Sequence, residues 1–198
     1  MLIGLERPSL SARLKTETAE AHRHLETALA LLEDIPDRRR LTILLERFHG
    51  FHARYEPAVE AWISGLALPE RRRLGTLRAD LVTLGHDQQS IDRLPVCDAV
   101  TGVITGRASA LGAVYVMEGS TLGGKMINRA LRDTAAWPEG GIGYFDPHGA
   151  RTGAMWNEVR HYIAAFSSAD EDDEVIEAAR ETFALLARWL APAFGTAS

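Results

Sequence analysis

Two groups of residues in this chain have the types and spacing that chemistry requires. One is a set of histidines paired with carboxylates at helical intervals. The other is an apolar segment carrying repeated glycines. The seven histidines are His22, His24, His49, His52, His86, His148 and His161. His22 precedes Glu26 by four residues, so on a helix the two lie one turn apart. A carboxylate there can hold one imidazole nitrogen and leave the other free to bind a metal. The same spacing also suits an ordinary half-buried histidine on the inward face that His22 would share with Thr18, Leu25 and Leu29. His24 lies about 200° further around the helix and is the weaker candidate.

A second histidine chemistry competes with the first. Glu46/His49 and Glu158/His161 are both Glu-x-x-His pairs. Helical bundles build di-iron carboxylate sites from two such pairs and one glutamate from each of two further helices. Glu20 or Glu26, with Glu118, would complete that set. His49 and His52 equally suit an aromatic face shared with Phe48 and Tyr55.

The glycine-bearing segment runs from Arg107 to about Arg132 as RASALGAVYVMEGSTLGGKMINRALR. Its apolar residues have helical spacing, yet Gly112, Gly119, Gly123 and Gly124 interrupt it. Each interior glycine costs a helix about 0.5–1 kcal/mol relative to alanine. Gly112, Gly119 and Gly123 stand at i, i+7 and i+11, which places them on one helical face. A face without side chains admits either a closely packed helix or a flat ligand.

The elements that must hold these residues read as all-α, a single domain over residues 1–198 with loose ends at 1–8 and 195–198. Ser9 or Ser11 caps a first helix with Leu14, Ala21, Leu25, Ala28 and Leu32 on its apolar side, broken at Asp34–Pro36–Asp37. A second helix starts near Arg39 and reaches Trp62, with Pro57 expected to kink it. Leu74, Leu77, Leu81 and Leu84 mark a third, closed by Gly85. A short helical turn follows near Asp98, then the glycine helix. Residues 138–153 read as an ordered loop, and Ala154–Ala165 and Val175–Leu190 as the last helices. The acidic run 170–174 suits the N-terminus of the final helix.

Composition narrows the class of function. Apolar content of 46% and charged content of 25% are those of a globular chain. A net charge of −5 argues against a nucleic-acid partner. The clusters Arg38–Arg40 and Arg71–Arg73 read as solvated charge. One cysteine, Cys97, excludes an internal disulfide framework. No apolar run reaches the ~18–20 residues of a membrane span and no signal pattern opens the chain, so a cytoplasmic protein is expected.

Three segments, in order, resemble the heme oxygenase family. LKTETAEAHRHLE, residues 14–26, is similar to its proximal helix, with His22 at the iron-ligating position and Glu26 near the second ring nitrogen. Gly119-Ser-Thr-Leu-Gly123-Gly124-Lys occupies the place of its distal-helix signature. VIEAARETFALLARWL resembles its last core helix. YVMEGSTLGG and FDPHG are closest to the bacterial branch often paired with bacteriophytochromes. The resemblance implies a bundle with heme, substrate and cofactor at once, sandwiched between the proximal and distal helices. It implies cleavage with O2 and an external electron donor (ferredoxin, flavodoxin or a reductase) to biliverdin, CO and Fe2+, the bilin passing to a bacteriophytochrome. Gly119, Gly123 and Gly124 would lie against heme, and Gly119 and Gly123 would steer bound O2 sterically. Lys15, and more loosely Arg160 or His161, would meet the propionates. The family's distal aspartate is Ser120 here, so the pocket water must be held differently; Glu118 and Asn128 are candidates. The second proximal lysine is replaced by Ala19.

Overall fold

The computed structural model describes residues 8–29, 37–132, 141–166, 168 and 171–193, with no strand among the described residues. The helices are α1 (Leu10–Glu17), α2 (Ala19–Leu29), α3 (Arg38–Glu60), α4 (Leu74–Thr83), α5 (Gln88–Asp92), α6 (Val100–Val103), α7 (Arg107–Arg132), α8 (Thr152–Phe166) and α9 (Asp172–Leu190). Single 3-10 turns occur at Leu68–Arg71, Gly143–Phe145, Gly149–Arg151 and Ala191–Ala193.

Local chemistry sets the boundaries. The first expected helix is two, because the Thr18 hydroxyl donates back to the Leu14 carbonyl at 2.7 Å, a bond that bends helices. Ser9 caps α1 and Asp37 caps α3, each accepting a backbone N–H from three residues on. Leu32, Asp34 and Pro36 lie outside the described residues, as does the 133–140 stretch that includes the start of the expected loop. Pro57 sits in the last turn of α3, which runs on to Glu60. α4 ends before Gly85, whose φ of +107° is open to glycine at no steric cost. No helix among the described residues is long and apolar enough to cross a membrane.

The core is built around α7. Its most extensive partner is α9, and α8 and α3 flank it; α1 and α2 lie on α9 as well. Leu111, Val114 and Met117 of α7 and Val175, Ile176, Ala179, Leu186 and Leu190 of α9 are all buried. Each fully buried aliphatic side chain contributes about 1.5–3 kcal/mol. Gly112 is what lets the two helices approach. A Cβ there would overlap the Val175 carbonyl and the Ala179 backbone nitrogen.

Two alanine substitutions on α7 therefore have opposite expected effects. Gly112→Ala drives a methyl into backbone and destabilises by about 1–3 kcal/mol. Gly123→Ala places its methyl where no other described segment lies within 4 Å and stabilises by about 0.5–1 kcal/mol. Urea unfolding midpoints of both variants check this; equal midpoints would contradict the division of the glycines.

Candidate functional site

The four α7 glycines do three different things. Gly112 is consumed by helix packing. A Cβ on Gly124 would come within 2.5 Å of the Phe145 carbonyl, so this glycine also serves packing and faces away from the open side. Gly119 lies beside the Trp156 ring, 3.5 Å from a built Cβ, and Gly123 opens onto empty space. Leu122 and Met126 are exposed next to them, at 45% and 62%. One side of α7 thus presents bare backbone and two uncovered apolar side chains. Apolar side chains beside bare backbone suit an apolar ligand laid against that side. Ser120 flanks it and is exposed.

His22 is not turned into the core as its neighbours suggested. α2 buries only Leu25, and the His22 side chain keeps 51% of its surface, with Nε2 3.5 Å from Glu26 Oε1. Its ring stands edge-on to Phe183 of α9, centroids 5.5 Å apart. The second ring nitrogen is available. α2 and α7 share α9 as their support, and the half-buried Tyr115 phenol of α7 lies near Thr18, just ahead of α2. His22 is one turn beyond Thr18, and Gly119 one turn beyond Tyr115. His24 is exposed.

Basic side chains lie on the α1/α8 side. Lys15 is exposed, and Arg160 Nε is 3.4 Å from Ser11 Oγ, one turn from Lys15 on α1. Arg160 also lies near enough to Tyr115 to act on its phenol electrostatically. His161 is exposed.

Behind the open side of α7 lies a buried ionic cluster that the sequence did not announce. Arg71 and Arg73 read as solvated charge, yet their side chains are only 3% and 2% exposed. Arg71 donates to Glu118 at 2.5 Å, to Glu158 at 2.8 Å and to the Leu66 and Met155 carbonyls. Arg73 donates to the other Glu118 oxygen at 2.9 Å and to the Met117 carbonyl at 2.7 Å. His148 Nε2 is 3.6 Å from Glu118. Burial alone would raise the Glu118 carboxyl; His148, Arg73 and Arg71 outweigh it and hold the group down at about 2. Glu56 extends the cluster by accepting from the Arg73 and Leu74 N–H groups and pairing with His52. The single available signal was Glu118 itself, a carboxylate within an apolar helical stretch that needs a buried cation.

The di-iron arrangement is not assembled. Glu46 is 3.0 Å from His86, and Glu158 is paired with Arg71. Glu118 is fully committed to its arginines, His49 is buried with neither ring nitrogen bonded, and Glu20 is exposed. No group of three or more His, Cys, Asp or Glu suited to a metal ion occurs among the described residues. Asn128 is also spoken for, since its side-chain oxygen accepts the Ile142 N–H at 2.9 Å. Neither Glu118 nor Asn128 is left to hold water at the open face.

Comparison with known proteins supplies the family context. The heme oxygenase family model matches residues 8–192. A heme oxygenase of Xanthomonas campestris pv. campestris is 34% identical over 106 residues, a stretch that covers 52% of this chain and 59% of that relative. Among solved structures, heme oxygenase from Leptospira interrogans superposes with a TM-score of 0.79 at 18% identity, covering 93% of this chain and 100% of that one. The Synechocystis heme oxygenase-1, in complex with heme, gives 0.76 at 14% identity over 93% and 92%. The Neisseria meningitidis enzyme gives 0.71 at 22% identity over 97% and 95%. At these identities the superpositions establish the fold.

The ionic cluster makes a stability prediction. Glu118→Gln leaves the buried Arg73 guanidinium without a carboxylate and Arg71 with Glu158 alone, and costs about 3–5 kcal/mol at neutral pH. Because the folded carboxyl sits below its ordinary value of about 4.5, its contribution is complete above that pH and is lost as pH falls toward about 2. Urea midpoints against pH check both statements: the native chain loses stability across that window and the glutamine variant loses less.

Proposed function

We propose, from the premise that the chain belongs to the heme oxygenase family, that this protein cleaves heme with O2 and electrons to biliverdin, CO and Fe2+. The observation that carries this reading is the open backbone of α7 at Gly123, with Gly119 beside the Trp156 ring one turn before it and an accessible imidazole on α2. The residues present fit the substrate. A flat apolar macrocycle matches the bare backbone and the uncovered Leu122 and Met126, and its two propionates suit Lys15 and Arg160.

Heme, as substrate, supplies the iron where O2 is reduced and the ring that is opened. The chain does the rest. His22 would hold the heme iron through one ring nitrogen while Glu26 orients the other. Gly119 and Gly123 would add no side chain of their own on the α7 side, so access there would be set by helix backbone and, beside Gly119, by the Trp156 ring. Ser120 is the polar group at that face and would hold pocket water. Electrons come from an external donor such as ferredoxin, flavodoxin or a reductase, and the bilin product suits a bacteriophytochrome acceptor.

Hemin added to the purified protein should give a Soret band of histidine-ligated heme, and reductant in air should convert it to a broad red biliverdin band. His22→Ala should abolish that conversion while the far-ultraviolet circular dichroism stays helical. Gly123→Leu should weaken hemin uptake by at least about tenfold, or 1.4 kcal/mol. Full biliverdin production by the His22 variant would overturn the assignment.

A further inference from the structure

Ser120 is the polar residue of the open α7 face, and its hydroxyl is neutral and short. Its surroundings are unusually specific. Ser120 Oγ donates to the Met117 carbonyl at 2.7 Å. That carbonyl also receives Arg73 Nη2 at 2.7 Å. The second terminal nitrogen, Arg73 Nη1, lies 3.5 Å from Ser120 Oγ. Arg73 is thus a fully buried cation with one terminal nitrogen on the Met117 carbonyl and the other toward Ser120, while its Nε has no hydrogen-bond partner. Burying an arginine this way is costly unless it is paired, and here Glu118 supplies the counter-charge at 2.9 Å.

We propose that Arg73 is a positioning residue for Ser120: the guanidinium fixes the hydroxyl with its proton on the Met117 carbonyl, so that Ser120 presents an oxygen lone pair, and not a proton, to the open face of α7. Counting donors and acceptors leads there. A hydroxyl has one proton and two lone pairs. The proton is on Met117 and one lone pair faces Arg73 Nη1, an all-donor group. What remains toward the open side is the second lone pair. Ser120 then acts there as an acceptor, with its oxygen and no proton turned toward whatever binds on that side. Glu118 fixes Arg73, and Arg73 fixes Ser120. Arg71, which shares Glu118 but makes no contact with Ser120, has no part in this.

The proposal rests on the reading that this face of α7 meets heme, so the test has one arm without heme and one with it. In the unloaded protein, the arginine side-chain N–H resonances are compared between the native chain and Ser120→Ala. Ser120 is exposed, so this variant keeps the buried cluster. The Arg73 resonances should move and those of Arg71 should not, and Ser120→Thr should restore the native positions. Unmoved Arg73 signals, or equal movement of both arginines, would overturn the proposal.

In the hemin-loaded, reduced protein with CO as probe, a lone pair directed at CO raises the C–O stretching frequency and a donated proton lowers it. Ser120→Ala should therefore lower the frequency, and Ser120→Thr should return it. A rise, or no change, would show that the hydroxyl donates or faces elsewhere and would overturn the proposal. Failure of the native protein to take up hemin would instead remove the heme reading, and the resonances of the unloaded protein would then decide the Arg73–Ser120 link by themselves.

Discussion

The structure turns on a charge in the middle of a helix. Glu118 sits on the longest helix, away from water, and can stay ionised there because two guanidinium groups and a histidine surround it. Those groups come from elsewhere in the chain. Arg71 and Arg73 belong to the turn ahead of α4, and His148 to the loop ahead of α8. Arg71 also bonds the Met155 carbonyl and Glu158 of α8. One carboxylate therefore joins three stretches that lie far apart along the chain. A buried pair of this kind adds less net stability than its Coulomb attraction suggests, because each ion must leave water. What it does is fix register: a slip of any one of these segments would strand a buried charge without its partner.

Around that fixed point the glycines divide labour along a single helix. Gly112 and Gly124 are places where another backbone touches α7, α9 in one case and the Phe145 segment in the other. Gly119 and Gly123 are places where no described residue makes such backbone contact. The helix is held by its first set; at the second, the Trp156 ring approaches Gly119 and Gly123 is left bare. A ligand-facing helix needs both, because an uncovered stretch contributes nothing to its own anchoring. The uncovered Leu122 and Met126 follow from the same arrangement.

α2 is supported indirectly. It buries a single leucine and relies on α9 for its position. Its histidine is consequently accessible, with a carboxylate one turn away and an aromatic edge from α9 beside it. α9 is the common floor on which the two functional helices are set, and its long buried face reflects that.

Much of this was legible in the chain. The 3.6-residue apolar period marked the long helices, because burial on one side repeats at that interval whatever the partner is. Glycines in a helical stretch signalled that something approaches α7, and the ordered trio of motifs pointed to the family. Tertiary structure decided the rest. Periodicity places Gly112, Gly119 and Gly123 on one face but cannot say that α9 covers the first and leaves the other two open. The i, i+4 spacing of His22 and Glu26 brought them together, but not whether the ring faced the core or solvent. The spacing of Arg71 and Arg73 looked like solvated charge because their counter-ion is more than forty residues away in sequence. Local rules see only neighbours along the chain, whereas burial and charge pairing are settled by which distant segments the fold brings into contact.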